Sequence, residues 1–311
     1  MKHLYERILI TGANGLVGQE LVTLLSRCPT FDVLATGRQE QSPLPEGSFG
    51  YTPLDITSAR DVRNLCLDFA PTLIINCAAM TQVDRCEVER ERCWEVNVKG
   101  VEYLTRAARQ VGAGFIHLST DFVFNGASGP YREEDRPEPI NFYGRSKLAS
   151  ENIVRASGLS RWHIVRTVLL YGTGHKLPRK NIVLWALEKL AQGEPLRIVT
   201  DQWRTPTYAP DLARGIEQVI RHGRPGIYHI SGRELLTVYD FIRRVAHFFD
   251  LDTSLVRPID SISLGQIAVR PPRTGFVILK AETELGYRPR SIEAALADMS
   301  SRLPISTLTS P

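Results

Sequence analysis

Residues Ile8–Leu25 read ILITGANGLVGQELVTLL. A short β-branched apolar run comes first. Gly12, Gly15 and Gly18 follow at three-residue intervals, and the stretch ends with apolar residues at helical spacing. Glycine lets a tight turn take backbone angles that other residues resist. A chain without side chains can also approach a pyrophosphate closely, at the positive end of the helix that follows. Glycines alone are a weak signal. With a strand before them and a helix after, they mark the first βαβ unit of a dinucleotide-binding sheet. Asn14, Leu16 and Val17 lie in the same loop and first helical turn, and are counted with the glycines as cofactor-side residues.

The pattern repeats outward from this unit. "DVLATG", "TLIINCAA" and "GFIHLST" alternate with "ARDVRNLCLDF" and "CWEVNVKGVEYLTRAARQV". Strand then helix, repeated, predicts an α/β fold with a doubly wound parallel sheet. The strand runs are apolar almost throughout, as expected of strands covered on both faces. Beyond Lys147 the regularity loosens. "WHIVRTVLLYG" reads as one more buried strand and "NIVLWALEKLAQG" as a helix stopped by Gly193. "LRIVTD" is a short strand outside the first pattern. "PDLARGIEQVIRHG" is a helix with Pro210 in its first turn and Gly223 past its end. The expected organisation is a dinucleotide-binding domain over 1–165, to which 207–230 returns. A smaller substrate-binding lobe takes 166–206 and 231–303, and 304–311 is a loose tail.

Bulk properties narrow the function class. The chain has 311 residues, 43% hydrophobic and 23% charged, with a formal charge of +4. These are the values of an ordinary soluble protein. The most charged stretch, "DRCEVERERCWE" (84–95), mixes signs like a solvated helix face, and no basic stripe with interleaved aromatics points to nucleic acid. The N-terminal apolar run is too short for a membrane span and lacks the layout of a signal peptide. Five cysteines without a CxxC pair read as free thiols in a reducing compartment, with no metal site. A cytoplasmic location is expected.

Two further spacings carry chemistry. The second strand ends "LATGRQE", which puts Arg38 where an NAD-binding chain carries an acid for the ribose 2′-hydroxyl. A guanidinium suits a 2′-phosphate, so NADPH is the expected cofactor, with NADH as the lesser alternative. In "PINFYGRSKLASENIV" (139–154), Tyr143 stands four residues before Lys147, on one helix face.

"TGANGLVGQ", "LSTDFVFNG" and "YGRSK", in this order, resemble the extended short-chain dehydrogenase/reductase family. Within it, "PYREEDRPEPINFYGRSKLASE", "DQWRTPTYAPDLA" and "RPPRTGFVILKAETELGY" are similar to the dTDP-4-dehydrorhamnose reductases and their relatives. The resemblance runs from about residue 7 to residue 300. It implies that a ketone accepts hydride from nicotinamide while Tyr143 protonates the developing alkoxide. A free tyrosine, with a pKa of about 10, is a reluctant acid at neutral pH. The Lys147 ammonium is expected to lower it and to bond the nicotinamide ribose. Thr120 matches the family's catalytic Ser/Thr, whose hydroxyl holds the substrate carbonyl.

Other positions follow from the same resemblance. Asp55 and Ile56 fall near the adenine, with a plain turn aspartate as the rival reading. Cys77, Ala78 and Ala79 end the fourth strand, where small residues let a cofactor lie close. Asn97 resembles the family's helix asparagine behind the site. Thr81, Val83, Asp121 and Phe122 fall on the substrate side. Trp203, Arg204 and Arg270 are candidates for the base or diphosphate of a nucleotide sugar. The partners implied are that substrate and, as an allowed assembly, a second copy of the chain.

One departure stands out. The rhamnose-pathway reductases usually carry a tryptophan in the strand resembling "RTVLLYG", and Leu169 occupies that position here. Losing a flat aromatic removes a stacking surface and changes the pocket. Among rivals, a 4,6-dehydratase needs a carboxylate after its Thr-Asp pair, whereas this chain has Phe122. An epimerase keeps oxidised NAD bound, against which Arg38 argues. A rival from another class is a regulatory subunit like the β subunit of eukaryotic methionine adenosyltransferase, which the "YREED" and "RPPR" regions also resemble.

Overall fold

Glu6–Thr11 forms β1, and its side chains part to two faces as a strand requires. Ile8 and Ile10 enter one core cluster and Leu9 the other, all fully buried. Each such side chain contributes about 1.5–3 kcal/mol by leaving water. The computed structural model of the chain describes residues 5–303, so the tail expected at 304–311 lies outside the described residues.

After β1 come α1 (Leu16–Leu25), β2 (Phe31–Gly37), β3 (Gly50–Pro53), α2 (Ala59–Phe69) and β4 (Leu73–Asn76). Next are α3 (Val83–Val88), α4 (Arg90–Trp94), α5 (Gly100–Val111), β5 (Gly114–Thr120), α6 (Phe142–Arg155) and β6 (Trp162–Thr167). The later part holds β7 (Leu170–Tyr171), α7 (Ile182–Ala191), β8 (Leu196–Val199), β9 (Trp203–Arg204), β10 (Thr207–Tyr208), α8 (Ala209–His222) and β11 (Gly226–His229). It closes with β12 (Leu236–Thr237), α9 (Val238–Phe248), β13 (Val256–Ile259), α10 (Ser261–Leu264), α11 (Leu279–Leu285) and α12 (Ile292–Arg302).

Seven strands make one parallel sheet in the order β11-β6-β5-β4-β1-β2-β3. The order reverses beside β1, so the crevice at the C-terminal strand ends opens next to the glycine loop. That is where open α/β sheets bind ligands. One face of the sheet packs on α1 and α8, together with residues 276–287. The other packs on α2 and α5. A separate cluster joins α7, α9 and α12 to β8 and β13, which pair in parallel.

Two local departures from the expected elements bear on the site. The strand expected over "WHIVRTVLLYG" breaks after Thr167. Its register with β5 ends at Thr120, Leu169 takes a φ of +35°, and β7 then pairs with β10 instead. A β-branched run favours a strand but cannot supply a neighbour, and β5 has already turned away. The long helix expected from Cys93 to Val111 contains one π-helical turn over Glu95–Lys99. Such a turn inserts a residue into the helical ladder and commonly marks a functional site. Here it carries Asn97.

Candidate active site

Gly12 turns with a φ of +69°, and a Cβ there would lie 2.6 Å from the backbone nitrogen of Ala78. The loop and the end of β4 therefore touch, and only glycine allows it. A Cβ on Gly18 would meet the Gly12 carbonyl oxygen at 2.4 Å, so α1 begins tight against the loop. Leu16 and Val17 are its first two residues, and Gly15 is its N-cap. The Asn14 amide donates to Gln39 Oε1 and Tyr51 Oη, both at 3.0 Å, while its own Oδ1 is buried without a partner. A bare backbone cradle at a helix N-terminus suits a dinucleotide phosphate, whereas the orphaned Asn14 oxygen, an acceptor, suits a hydroxyl donor.

Arg38 is exposed just past β2. Asp55 is half-buried in a turn, where its carboxylate accepts from the Thr57 N–H at 2.9 Å and hydroxyl at 2.7 Å. Burial pushes its pKa up, but those bonds with Arg92 and Arg38 outweigh it and leave the carboxyl below its usual range. The turn reading thus describes what Asp55 does in the fold, with Ile56 buried behind it. Cys77, Ala78 and Ala79 follow β4 at the crevice floor, and burial pushes the Cys77 thiol up to about 12.

Asn141 caps α6, accepting from the Gly144 N–H at 2.8 Å, which sets Tyr143 in the first turn. The Tyr143 ring is buried with Cys86 and Cys93, edge-on to Phe122 at 6.0 Å. Met80 and Val83 pack on the same cluster, while Thr81 is exposed at its rim. Burial drives the phenol above its ordinary pKa, the neighbouring Thr120 hydroxyl pulls it back, and the Asp121 charge adds to the rise. This corrects the expectation that Lys147 lowers it. The Lys147 amine is engaged elsewhere, donating to the Leu118 carbonyl at 2.7 Å and lying 3.2 Å from His117 Nε2. Lys147 itself is lowered to about 8 by burial. Tyr143 thus stands beside the Thr120 hydroxyl at the end of β5.

Asn97 holds this arrangement from behind. Its amide donates to the Met80 carbonyl and to Ser146 Oγ, both at 3.0 Å, and its Oδ1 accepts from the Met80 N–H at 2.7 Å. The loop after β4 and helix α6 are tied through one side chain.

The remaining substrate-side candidates are tied to protein. Asp121 is buried and accepts from Thr120 Oγ1 at 3.0 Å and from Thr274 Oγ1. The Arg204 guanidinium, also buried, lies 3.6 Å from it and donates to the Pro271 carbonyl at 2.8 Å. Arg270 grips Asp84 of α3, with Nη2 2.7 Å from Oδ2. Trp203 is partly exposed, with the Arg273 guanidinium 5.3 Å over its ring.

Sequence reading passed over several members of the site. Asp84 anchors the 268–270 segment, and Asn141 reaches the same segment by donating to the Val269 carbonyl at 2.9 Å. Glu151, one turn after Lys147, forms a fully buried ion pair with Arg166, Nη2 to Oε2 at 2.7 Å. Ser119 donates to the same carboxylate at 2.5 Å. The i,i+4 spacing that exposed Tyr143 and Lys147 also covers Glu151, and could have found it. His117, inside an apolar strand, carried only the signal of an unexplained polar residue.

Among the described residues no helix is long and apolar enough to cross a membrane, and no cluster of three or more His, Cys, Asp or Glu side chains could hold a metal. Residues 6–304 match the family described as the RmlD substrate binding domain. A dTDP-4-keto-6-deoxy-D-glucose reductase of Streptomyces niveus is 36% identical over 271 residues, covering 86% of this chain and 88% of that protein. The β subunit of methionine adenosyltransferase 2 from Xenopus tropicalis is 35% identical over 266 residues, covering 83% and 77%. The crystal structure of a dTDP-4-dehydrorhamnose reductase from Bacillus anthracis str. Ames in complex with NADP superposes with a TM-score of 0.82 at 30% identity, covering 96% and 100%. With the sheet order, the glycine cradle and the Thr120–Tyr143–Lys147 cluster already in place, these likenesses settle the kinship: the chain belongs to the dTDP-4-dehydrorhamnose reductase family of NAD(P)-dependent oxidoreductases.

Proposed function

We propose that this protein reduces the ketone of a nucleotide-linked 4-keto-6-deoxy sugar, with NADPH as the preferred reductant. The observation that carries the reading is the buried Tyr143 phenol, set beside the Thr120 hydroxyl at the end of β5. The likeness to the Streptomyces niveus reductase and to the NADP-bound Bacillus anthracis reductase supports the substrate class and the cofactor.

When bound, NADPH supplies the hydride. Gly12, Gly15 and Gly18, with the N-terminus of α1, are the residues to hold its pyrophosphate, and Arg38 its 2′-phosphate. Cys77, Ala78 and Ala79 leave room beneath it, and Lys147 is the candidate for its ribose. Thr120 orients the substrate carbonyl by turning its single hydroxyl hydrogen from Asp121 to that oxygen. Tyr143 gives its proton to the oxygen as negative charge develops there. Phe122 and Val83 wall the phenol from water, which strengthens each of these bonds. Trp203, Arg204 and Arg270 are the candidates for the nucleotide end of the substrate.

The test is NADPH oxidation across TDP- and UDP-linked 4-keto sugars. Turnover with at least one is expected. Tyr143→Phe should keep NADPH binding and lower kcat by roughly 10²–10⁴-fold, the usual share of a general acid. Near-normal turnover in that variant would reject the role. The likeness to the adenosyltransferase β subunit supports a second reading, a regulatory partner. Failure of every keto sugar, together with co-purification of an adenosyltransferase, would replace the first reading with that one.

A further inference from the structure

Gln19 stands about one turn inside α1 and is 2% exposed, a polar side chain among the apolar residues that seat the helix. Both hydrogens and the oxygen of its amide are taken by backbone groups. Nε2 donates to the Asn14 carbonyl at 3.0 Å and to the His175 carbonyl at 2.8 Å, and Oε1 accepts from the His175 N–H at 2.7 Å. A carbonyl can only accept and a backbone N–H can only donate, so the amide has one allowed orientation. Asn14 belongs to the glycine loop. His175 belongs to the connection between β7 and α7, whose ends are closed on each other by Asn181. That side chain caps α7, accepting from the Val183 and Leu184 N–H groups at 3.1 and 3.2 Å, and donates to the Gly172 carbonyl at 2.7 Å. α7 in turn packs in the separate core cluster with α9 and α12. The next residue of α1 repeats the link, since Glu20 meets Arg302 of α12 at 3.1 Å. The helix proposed to receive the pyrophosphate is thus fastened to the lobe proposed for the substrate through two consecutive side chains, and Gln19 also grips the glycine loop.

We propose that Gln19 is a positioning residue that couples the two ligands: a cofactor phosphate on the glycine loop steadies the connection that carries His175, and the nucleotide sugar then binds more tightly in the lobe to which α7 belongs. The proposal rests on the reductase reading, which names both ligands. A phosphate held by backbone N–H groups at the start of α1 fixes the Asn14 peptide, and with it the carbonyl that Gln19 holds. If the loop and the connection move apart, Gln19 must give up one of them. A buried amide left without its partners costs about 1–3 kcal/mol. The two segments therefore order together. Whichever ligand arrives first meets that ordering cost and the second is spared it, which gives positive cooperativity with no contact needed between them. By linkage the effect on the two affinities is reciprocal.

The test uses the whole chain with oxidised NADP and dTDP, so that nothing turns over. In the native protein, saturating NADP is expected to slow exchange of the His175 amide hydrogen, read by NMR, and to tighten dTDP binding about 5-fold or more by calorimetry. Gln19→Leu should abolish both effects, while dTDP alone binds as it does to the native chain. Gln19→Glu keeps the acceptor for the His175 N–H but loses both donated bonds, and it should abolish the tightening as well. Gly174→Ala attacks the joint from the other side, since its Cβ would lie 3.0 Å from Gln19 Oε1. It should weaken the tightening, and it decides the matter if the Gln19 variants do not fold. A native chain in which NADP changes neither quantity, or variants that keep the full tightening, would overturn the proposal. Equal loss of dTDP affinity with and without NADP would show a merely structural role and reject it too. If dTDP does not bind at all, the nucleotide-sugar reading fails, while His175 exchange in the native chain and in Gln19→Leu still decides whether Gln19 joins the loop to the connection.

Discussion

Gly12, Gly15 and Gly18 work from a single loop, whereas Asp84 meets Arg270 across 186 positions and Asp121 meets Thr274 across 153. The first group builds the side of the crevice proposed for the cofactor from backbone and local turns. The second builds the side proposed for the substrate from segments joined only by folding, through buried or half-buried charges. A local motif is its own evidence. A long-range ion pair, by contrast, places its residues without saying whether they also touch a ligand. The comparison teaches that Arg204, Asp121 and Arg270 have structural duties that any substrate role must be added to.

The difference can be broken at its strongest point by Arg204→Met. It leaves the Asp121 carboxylate buried without its cation, and removing one partner of a buried pair costs about 3–5 kcal/mol. Chemical denaturation should show that loss. An unchanged midpoint with only a weaker substrate KM would make Arg204 a ligand residue instead.

On the cofactor side, Gly12→Val puts a β-branched residue at positive φ and its Cβ against the Ala78 backbone. Strain of about 1–3 kcal/mol is expected there. It should appear chiefly as weaker NADPH binding by titration, with the fold retained. Loss of stability without loss of affinity would remove the loop from the site.

Arg38→Ala sharpens the same side. Losing a charged hydrogen bond costs about 1.5–3 kcal/mol, and the loss should fall on NADPH much more than on NADH. Equal weakening of both cofactors would refute the 2′-phosphate assignment.

The smallest effect is expected from Asp84→Asn. The pair with Arg270 is partly exposed, and such pairs contribute about 0.2–1 kcal/mol. Substrate KM should rise a few-fold while kcat and NADPH affinity stay put. The sign with pH follows from the Asp84 carboxyl, which the Arg270 hydrogen bond holds below its ordinary range. Its contribution is complete above the unfolded value of about 3.9 and is lost as pH falls through the folded one. A native KM that is flat on the acid side down to that window, then rises, would agree. A rise near neutrality would point to another group.

The order of strands and helices in the first half was legible from residue type, because β-branched runs and helical spacing act over a few residues. The glycine cradle and the face shared by Tyr143 and Lys147 were legible for the same reason, and so was Arg38 at the end of β2. Tertiary structure alone decided three matters. It broke the strand at Val168–Leu169, since no neighbour continues β5 past Thr120. It raised the Tyr143 phenol instead of lowering it, since burial, with the Asp121 charge added, exceeds the pull of the Thr120 hydroxyl. And it brought His117 of β5 against Lys147 of α6, a contact between strand and helix that no spacing in the chain encodes. Burial and long-range contact are properties of the whole packed molecule, and these are the terms that set proton affinity at the site.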